Sequence, residues 1–337
     1  MLRLTKPWLG DEEKQAVSRV LDSGWLAEGQ KTIEFEGAVA RYVDAKYAVS
    51  FCNATVALEL CLRAHEVKGE RVAVSDFTHP ATALAVVNSG NKPVLCDVSL
   101  DSYNMKACDG TKVAMPVSWG GNPLSWYPRC LIVEDAACSL GSSVDGTKTG
   151  AKFTTVFSLH PRKIITTGEG GVVTTNDREM AVRLRGLKRF GVGGGNYRFS
   201  DVAAAVGLVQ LGKIEQIIKV RREQAEIYNE LLKDVNDVRT PVEASGARHT
   251  YQTYAVYVEG GKRDVCIKYL ADRGIESQIG TYALHCLPQF RRLPRNGKLE
   301  NSRLLYENLL SLPMSYDMTF DDQKLVVQEL KNAIQQD

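Results

Sequence analysis

Val156-Phe157-Ser158-Leu159-His160-Pro161-Arg162-Lys163-Ile164-Ile165-Thr166-Thr167-Gly168-Glu169-Gly170-Gly171 is the stretch that decides how this chain is read. A β-like run from Thr154 to Phe157 delivers a lysine into a loop, framed by a serine, two threonines and three glycines. A solvated lysine needs no such frame. An amine that must form a covalent bond in one place does. Upstream, Val133-Glu134-Asp135 ends an apolar run on an acid. Neighbouring strand residues face opposite ways, so Asp135 and Glu134 cannot both point to the same site.

Working outward, short β runs alternate with helices. Tyr47 to Phe51 reads as a strand and Thr55 to Ala64 as a helix. Arg71 to Val74 is a strand, Pro80 to Asn88 a helix, and Pro93 to Cys96, Val113 to Met115 and Leu131 to Val133 are strands. This alternation predicts βαβ units and a mostly parallel sheet flanked by helices, with ligands at the carboxyl ends of the strands. The direction of the run before Lys163 stays open. Ahead of these units, Asp11 is a candidate cap for a helix that Ser23-Gly24 stops, and a second helix runs from about Lys31 to Tyr42. Asp201 to about Leu232 is a long helical stretch. After the polar segment 234–247 a second pattern follows: a β-like run over 249–258, helix over 263–272, β again over 276–279, then helices near 302–310 and 320–334. The chain thus divides into a large domain, residues 1–234, and a smaller C-terminal α+β domain, residues 235–337.

The 337 residues carry 42 basic and 40 acidic side chains, a net charge of +2. No strong field results, so neither nucleic acid nor an anionic membrane is expected as a partner. The eight cysteines form no CxxC pair, and the five histidines show no metal-ligand spacing, so no metal is expected. Met1 to Pro7 lacks the apolar core of a signal peptide, and no run is long enough to span a bilayer. A cytoplasmic protein is expected.

The residues around Lys163 and Asp135 suit one cofactor. Pyridoxal 5'-phosphate (PLP) asks a protein for an amine to bond its aldehyde and a carboxylate to keep its ring nitrogen protonated. It also brings a phosphate. Asn53-Ala54-Thr55 opens a helix, and its free amides and the Thr55 hydroxyl make an anion site, with Ser158 as a further donor. His79 begins the next helix, where a planar group can stack on the ring. Each signal alone has a plainer reading, as a cap, a strand-end acid or a solvated amine; their coincidence carries the argument.

The chain also resembles the DegT/DnrJ/EryC1/StrS aminotransferases, a branch of the fold type I PLP enzymes. Ser23-Gly24-Trp25-Leu26-Ala27-Glu28-Gly29 is similar to the family's SGWLTxG, and Asn53 to Leu58 to its (N/S)GTxAL phosphate turn. Val133 to Ala137 is similar to (I/V)EDAA, and Ser158 to Lys163 with Thr167 to Gly171 to SFHxxK…TGEGG. Gly195 to Asp201 resembles GxNYRMSE, and Ser311 to Met314 resembles SLPM. The resemblance implies Lys163 as the Schiff-base lysine and Asp135 as the pyridinium partner. It also implies a phosphate held by Ala54, Thr55 and Ser158. It further implies a homodimer with shared sites, in which Asn196 or Arg198 reaches the partner's phosphate. The implied reaction passes through a Lys163 aldimine and pyridoxamine phosphate, moving an amino group from L-glutamate to a keto sugar, nucleotide-linked in most relatives. Rival readings are a cyclitol aminotransferase, a PLP-dependent sugar dehydratase, and a non-catalytic regulator. Lys163 argues against the dehydratase branch, where many members carry histidine.

Several positions depart from the pattern. Cys138 stands near the cofactor hydroxyl, where Gln or His is usual, and His79 replaces a larger aromatic. Ala54 replaces a glycine and Gln30 a proline. The stretch 120–129 is too short for the helix that normally leads into the EDAA strand, which leaves Trp126 as a candidate cover for that flank.

Overall fold

Apolar runs rich in Val, Ile and Ala make the centre of the fold, because both faces of their sheet are covered. The computed structural model describes residues 1–108 and 110–336. Its largest sheet has eight strands. Their spatial order is Tyr47–Phe51, Gly171–Thr175, Thr154–Ser158, Leu131–Asp135, Val113–Met115, Arg71–Ser75, Lys92–Cys96, Arg295–Asn296. Pairing is parallel from Thr154–Ser158 out to Arg295–Asn296. Gly171–Thr175 alone runs antiparallel to both neighbours. The open question of the Lys163 strand is thereby answered: it runs parallel to the Asp135 strand. Phe51, Ser75, Asp135 and Ser158 therefore end their strands along one edge.

Side-chain alternation sends successive residues to two cores. Val156 and Val173 pack beneath the helices Ala54–Ala64, Pro80–Asn88 and Arg178–Lys188. Phe157 and Val172 pack on the other face, against Phe35 and Val39 of the helix Gln30–Val43 and Ile214, Ile217 and Ile218 of the helix Ile214–Leu232. A four-stranded antiparallel sheet lies in the C-terminal part, in the order Val238–Arg239, Tyr254–Val258, Leu309–Leu312, Gln278–Ile279. The helices Arg263–Ala271 and Phe320–Ile334 cover it through Cys266, Leu270, Val326 and Leu330.

Several expectations need correction. The first helix, Asp11–Ser23, is capped by Gly10, whose N–H donates to Glu13 Oε2 at 2.7 Å; Asp11 is already its first residue. The stretch 201–232 is two helices, Asp201–Gly212 and Ile214–Leu232. The break follows Gly212, a weak helix former, and Lys213 turns its ammonium to Glu12 at 2.7 Å and Glu13 at 2.9 Å. The helix Arg178–Lys188 was not foreseen. Trp126 is 42% exposed and is not the buried cover of that flank. The flank without a helix is closed by Leu124, which is buried, and by Tyr127, whose ring lies 4.5 Å from that of Phe153.

Candidate active site

Asp135 reaches the carboxyl edge because its strand ends there, and its neighbours hold it in place. Thr82 Oγ1, from the helix Pro80–Asn88, donates to Asp135 Oδ2 at 2.7 Å, and the Ala137 amide donates to Oδ1 at 3.1 Å. Burial raises the Asp135 pKa. The Thr82 and Ala137 hydrogen bonds and the charges of Lys163 and His79 oppose that rise without cancelling it. A buried carboxyl in this state has much to gain from a cationic partner. Glu134 points the other way, to the Ser118 and Thr155 hydroxyls, as strand alternation requires. Burial pushes its pKa up to about 7.

The lysine loop is closed by its own frame. Thr167 N and Thr166 Oγ1 both donate to Leu159 O, at 3.0 and 2.9 Å, and Leu159 N donates to Gly170 O at 2.9 Å. A Cβ on Gly170 would sit 2.7 Å from Thr167 Oγ1 and 2.8 Å from the Phe199 ring, so the turn has room for glycine alone. Two residues of the C-terminal part brace the loop from outside. Gln252 Nε2 donates to Arg162 O at 2.6 Å, and Arg162 donates to Gln278 Oε1 at 2.7 Å. Lys163 is left half-buried, with Nζ 3.1 Å from Cys138 Sγ.

The third component is the turn before the helix Ala54–Ala64. Asn53 Oδ1 accepts from Val56 N at 2.9 Å, and Asn53 O accepts from Ala57 N at 3.3 Å. The Ala54 and Thr55 amides are left without an acceptor among the described residues, at the positive end of the helix. Gly171 explains how this turn meets the lysine loop. It pairs with Phe51 on one side and Ser158 on the other. A Cβ there would lie 2.6 Å from Ala54 N. Thr55 is exposed and Ser158 half-buried.

These parts fit PLP: a buried carboxyl with no ion-pair partner among the described residues, a reachable amine, and a helix end with free amides beside a serine. His79 stands at the N-cap of the Thr82 helix, with Nδ1 accepting from Ala81 N at 3.2 Å, which puts its proton on Nε2. Burial, then the Lys163 charge, lowers its pKa. Tyr282 meets it edge-on, ring centres 6.3 Å apart. Asn196 is not drawn into this group. It lies exposed on an outer loop, where Arg198 Nε donates to its Oδ1 at 2.9 Å. Sequence reading missed Thr82, Gln252, Gln278 and Tyr282. Only Thr82 left a signal, three residues past His79 on the same helix turn.

An α/β sheet of this topology, with this edge, places the chain in the fold type I class of PLP-dependent enzymes. The sequence matches the DegT/DnrJ/EryC1/StrS aminotransferase family over residues 7–331, and the chain belongs to that family. It is 31% identical to the GDP-perosamine synthase of Caulobacter vibrioides, over 99% of this chain and 98% of that one. Its structure is similar to that of the aminotransferase TlmJ from Streptoalloteichus hindustanus, with a TM-score of 0.90, 29% identity, and coverage of 99% and 98% of the two chains. It is also similar to S. venezuelae DesV in complex with a ketimine intermediate, with a TM-score of 0.90, 27% identity, and coverage of 97% and 95%. Among the described residues no helix is long and apolar enough to cross a membrane.

Proposed function

We propose that this enzyme uses PLP to transfer an amino group from L-glutamate to a nucleotide-linked keto sugar, and that it works as a homodimer in the cytoplasm. The observation that carries the reading is the meeting of Lys163, Asp135 and the Ala54–Thr55 helix end along one edge of one sheet. The similarity to a GDP-perosamine synthase supports a sugar as acceptor.

Bound PLP supplies an electron sink for the carbon that loses a proton. The chain's own residues do the rest. Asp135, held by Thr82, keeps a proton on the ring nitrogen. The Ala54 and Thr55 amides, with the Thr55 and Ser158 hydroxyls, hold the phosphate. His79, at the N-cap of the Thr82 helix, and Cys138, beside Lys163 Nζ, would flank the bound group. Lys163 Nζ would move the proton, taking one from the donor's carbon and returning one to the acceptor's carbon.

The dimer is supported by exposed side chains on two linked segments. Trp25 and Leu26 are exposed, as are Phe190 and Val192. Glu28 ties the two segments together through ion pairs with Lys188 and Arg189. Asn196 and Arg198 project from the second segment, where a partner's phosphate would be in reach.

The test is a panel of nucleotide-linked keto sugars and cyclitol ketones with L-glutamate, read as 2-oxoglutarate and amino product. An amino sugar should form with at least one nucleotide-linked acceptor. Product from cyclitols alone, or a deoxy sugar without an amine, would replace this reading with one of its rivals.

A further inference from the structure

Cys138 brings a thiol to within 3.1 Å of the amine on which the proposed chemistry depends. We propose that Cys138 and Lys163 are a redox-controlled modification site, at which a hydroperoxide drives formation of a sulfenamide bond between Sγ and Nζ. The distance lies inside the range of about 3–3.5 Å for reacting atoms poised to bond. Both residues are half-buried, so a small oxidant can reach them.

Braced backbone carries both side chains. Cys138 sits in the turn after Asp135, where Ala136 N donates to Val156 O at 2.9 Å and Ser139 N to Ala136 O at 2.8 Å. Lys163 N donates to His160 O at 2.9 Å, within the loop that the threonines close. The bond needs only side-chain movement from the 3.1 Å contact.

The chemistry balances in two steps. In the first, the thiol sulfur attacks the hydroperoxide. An S–O bond forms, the O–O bond breaks, and an alcohol leaves (water, for hydrogen peroxide) as the sulfur gives up two electrons. In the second, the Lys163 amine, its ammonium proton given up to solvent, attacks that sulfur. An S–N bond forms, the S–O bond breaks, and hydroxide leaves with the amine proton as water. The net loss from the protein is two hydrogens. A second thiol attacks the sulfur, an S–S bond forms as the S–N bond breaks, and the amine is released; a further thiol then displaces Cys138 as a free thiol and leaves as part of a disulfide. While the bond lasts, Nζ cannot bond an aldehyde. Oxidation therefore withholds the lysine from cofactor, and cofactor already on the lysine withholds it from oxidation. That protection rests on the function proposed above; the cross-link itself does not.

The experiment treats full-length protein with hydrogen peroxide, cofactor-free and PLP-loaded, and maps peptides by mass. In cofactor-free protein, the peptides bearing Cys138 and Lys163 should be joined, with two hydrogens lost, and dithiothreitol should separate them. Cys138→Ser and Cys138→Ala should both lose the joined species. Loaded protein should lose it as well. Oxygen added to Cys138 with no joining, or a disulfide from Cys138 to another cysteine, would overturn the proposal. Joining that persists in both variants would do the same. If the protein binds no PLP, the functional reading falls while the cofactor-free arm still decides the cross-link.

Discussion

Lys163 and Asp135 are fixed to the same site by unlike means, one by a loop that bonds to itself, the other by a strand end and a neighbouring helix. Their roles differ accordingly. Asp135→Asn keeps the shape but gives up the charge that, in the role proposed above, holds a proton on the ring nitrogen. We expect turnover to fall about 10²-fold or more, as on loss of a preorganised electrostatic partner, with cofactor still bound; steady-state rates and a binding titration check both halves. Glu134 makes a different prediction. Its pKa is about 7 in the folded chain against an ordinary 4.5. Below about 4.5 both states are protonated. Between 4.5 and 7 only the unfolded chain ionises, so stability falls as pH rises through that window, by on the order of 3 kcal/mol in total. Denaturant unfolding of wild type and Glu134→Gln across this range should show wild type losing ground as pH rises. Parallel curves would contradict a protonated carboxyl at this position.

At the scale of elements, Gly171 joins the lysine strand to the Asn53–Thr55 turn. A methyl group there meets Ala54 N and Asn53 C, each at 2.6 Å, and both are backbone atoms that cannot swing aside. Gly171→Ala should lower stability by about 1–3 kcal/mol, as overpacking does, and weaken PLP binding as the turn shifts; thermal melts and a cofactor titration read the two effects. Apolar runs with turn residues at their ends made the central strands and the Pro80–Asn88 helix legible in the sequence. The helix Arg178–Lys188 was not legible, because only Met180, Ala181, Leu184 and Lys188 are buried among charged neighbours. The side chains that brace the site from a distance were also hidden. Gln252 and Gln278 lie far along the chain from Arg162, and no local pattern marks a tertiary partner. Nor does any local rule foretell that the Asp201 carboxylate accepts from Gly29 N at 2.8 Å and Thr32 N at 2.9 Å, capping the helix Gln30–Val43 across a separation of about 170 residues.

For the whole molecule, the division at residue 234 stands as a proposal, and the two parts are interleaved at several points. Leu2 pairs with Ile275, Arg295–Asn296 joins the large sheet, and Leu284, Phe290 and Leu299 enter its core. The dimer is expected from the exposed Trp25, Leu26, Phe190 and Val192 and from the exposed Asn196, which bridges to Arg189 of the Glu28 link. Sedimentation at working concentration should give a dimer. A fully active monomer would show that each site is complete within one chain.

The most direct measurement is borohydride reduction of the PLP-loaded enzyme followed by peptide mass mapping. The account predicts a single phosphopyridoxyl label on Lys163, absent from Lys163→Ala. A label on another lysine, or none on a protein that has taken up cofactor, would contradict it.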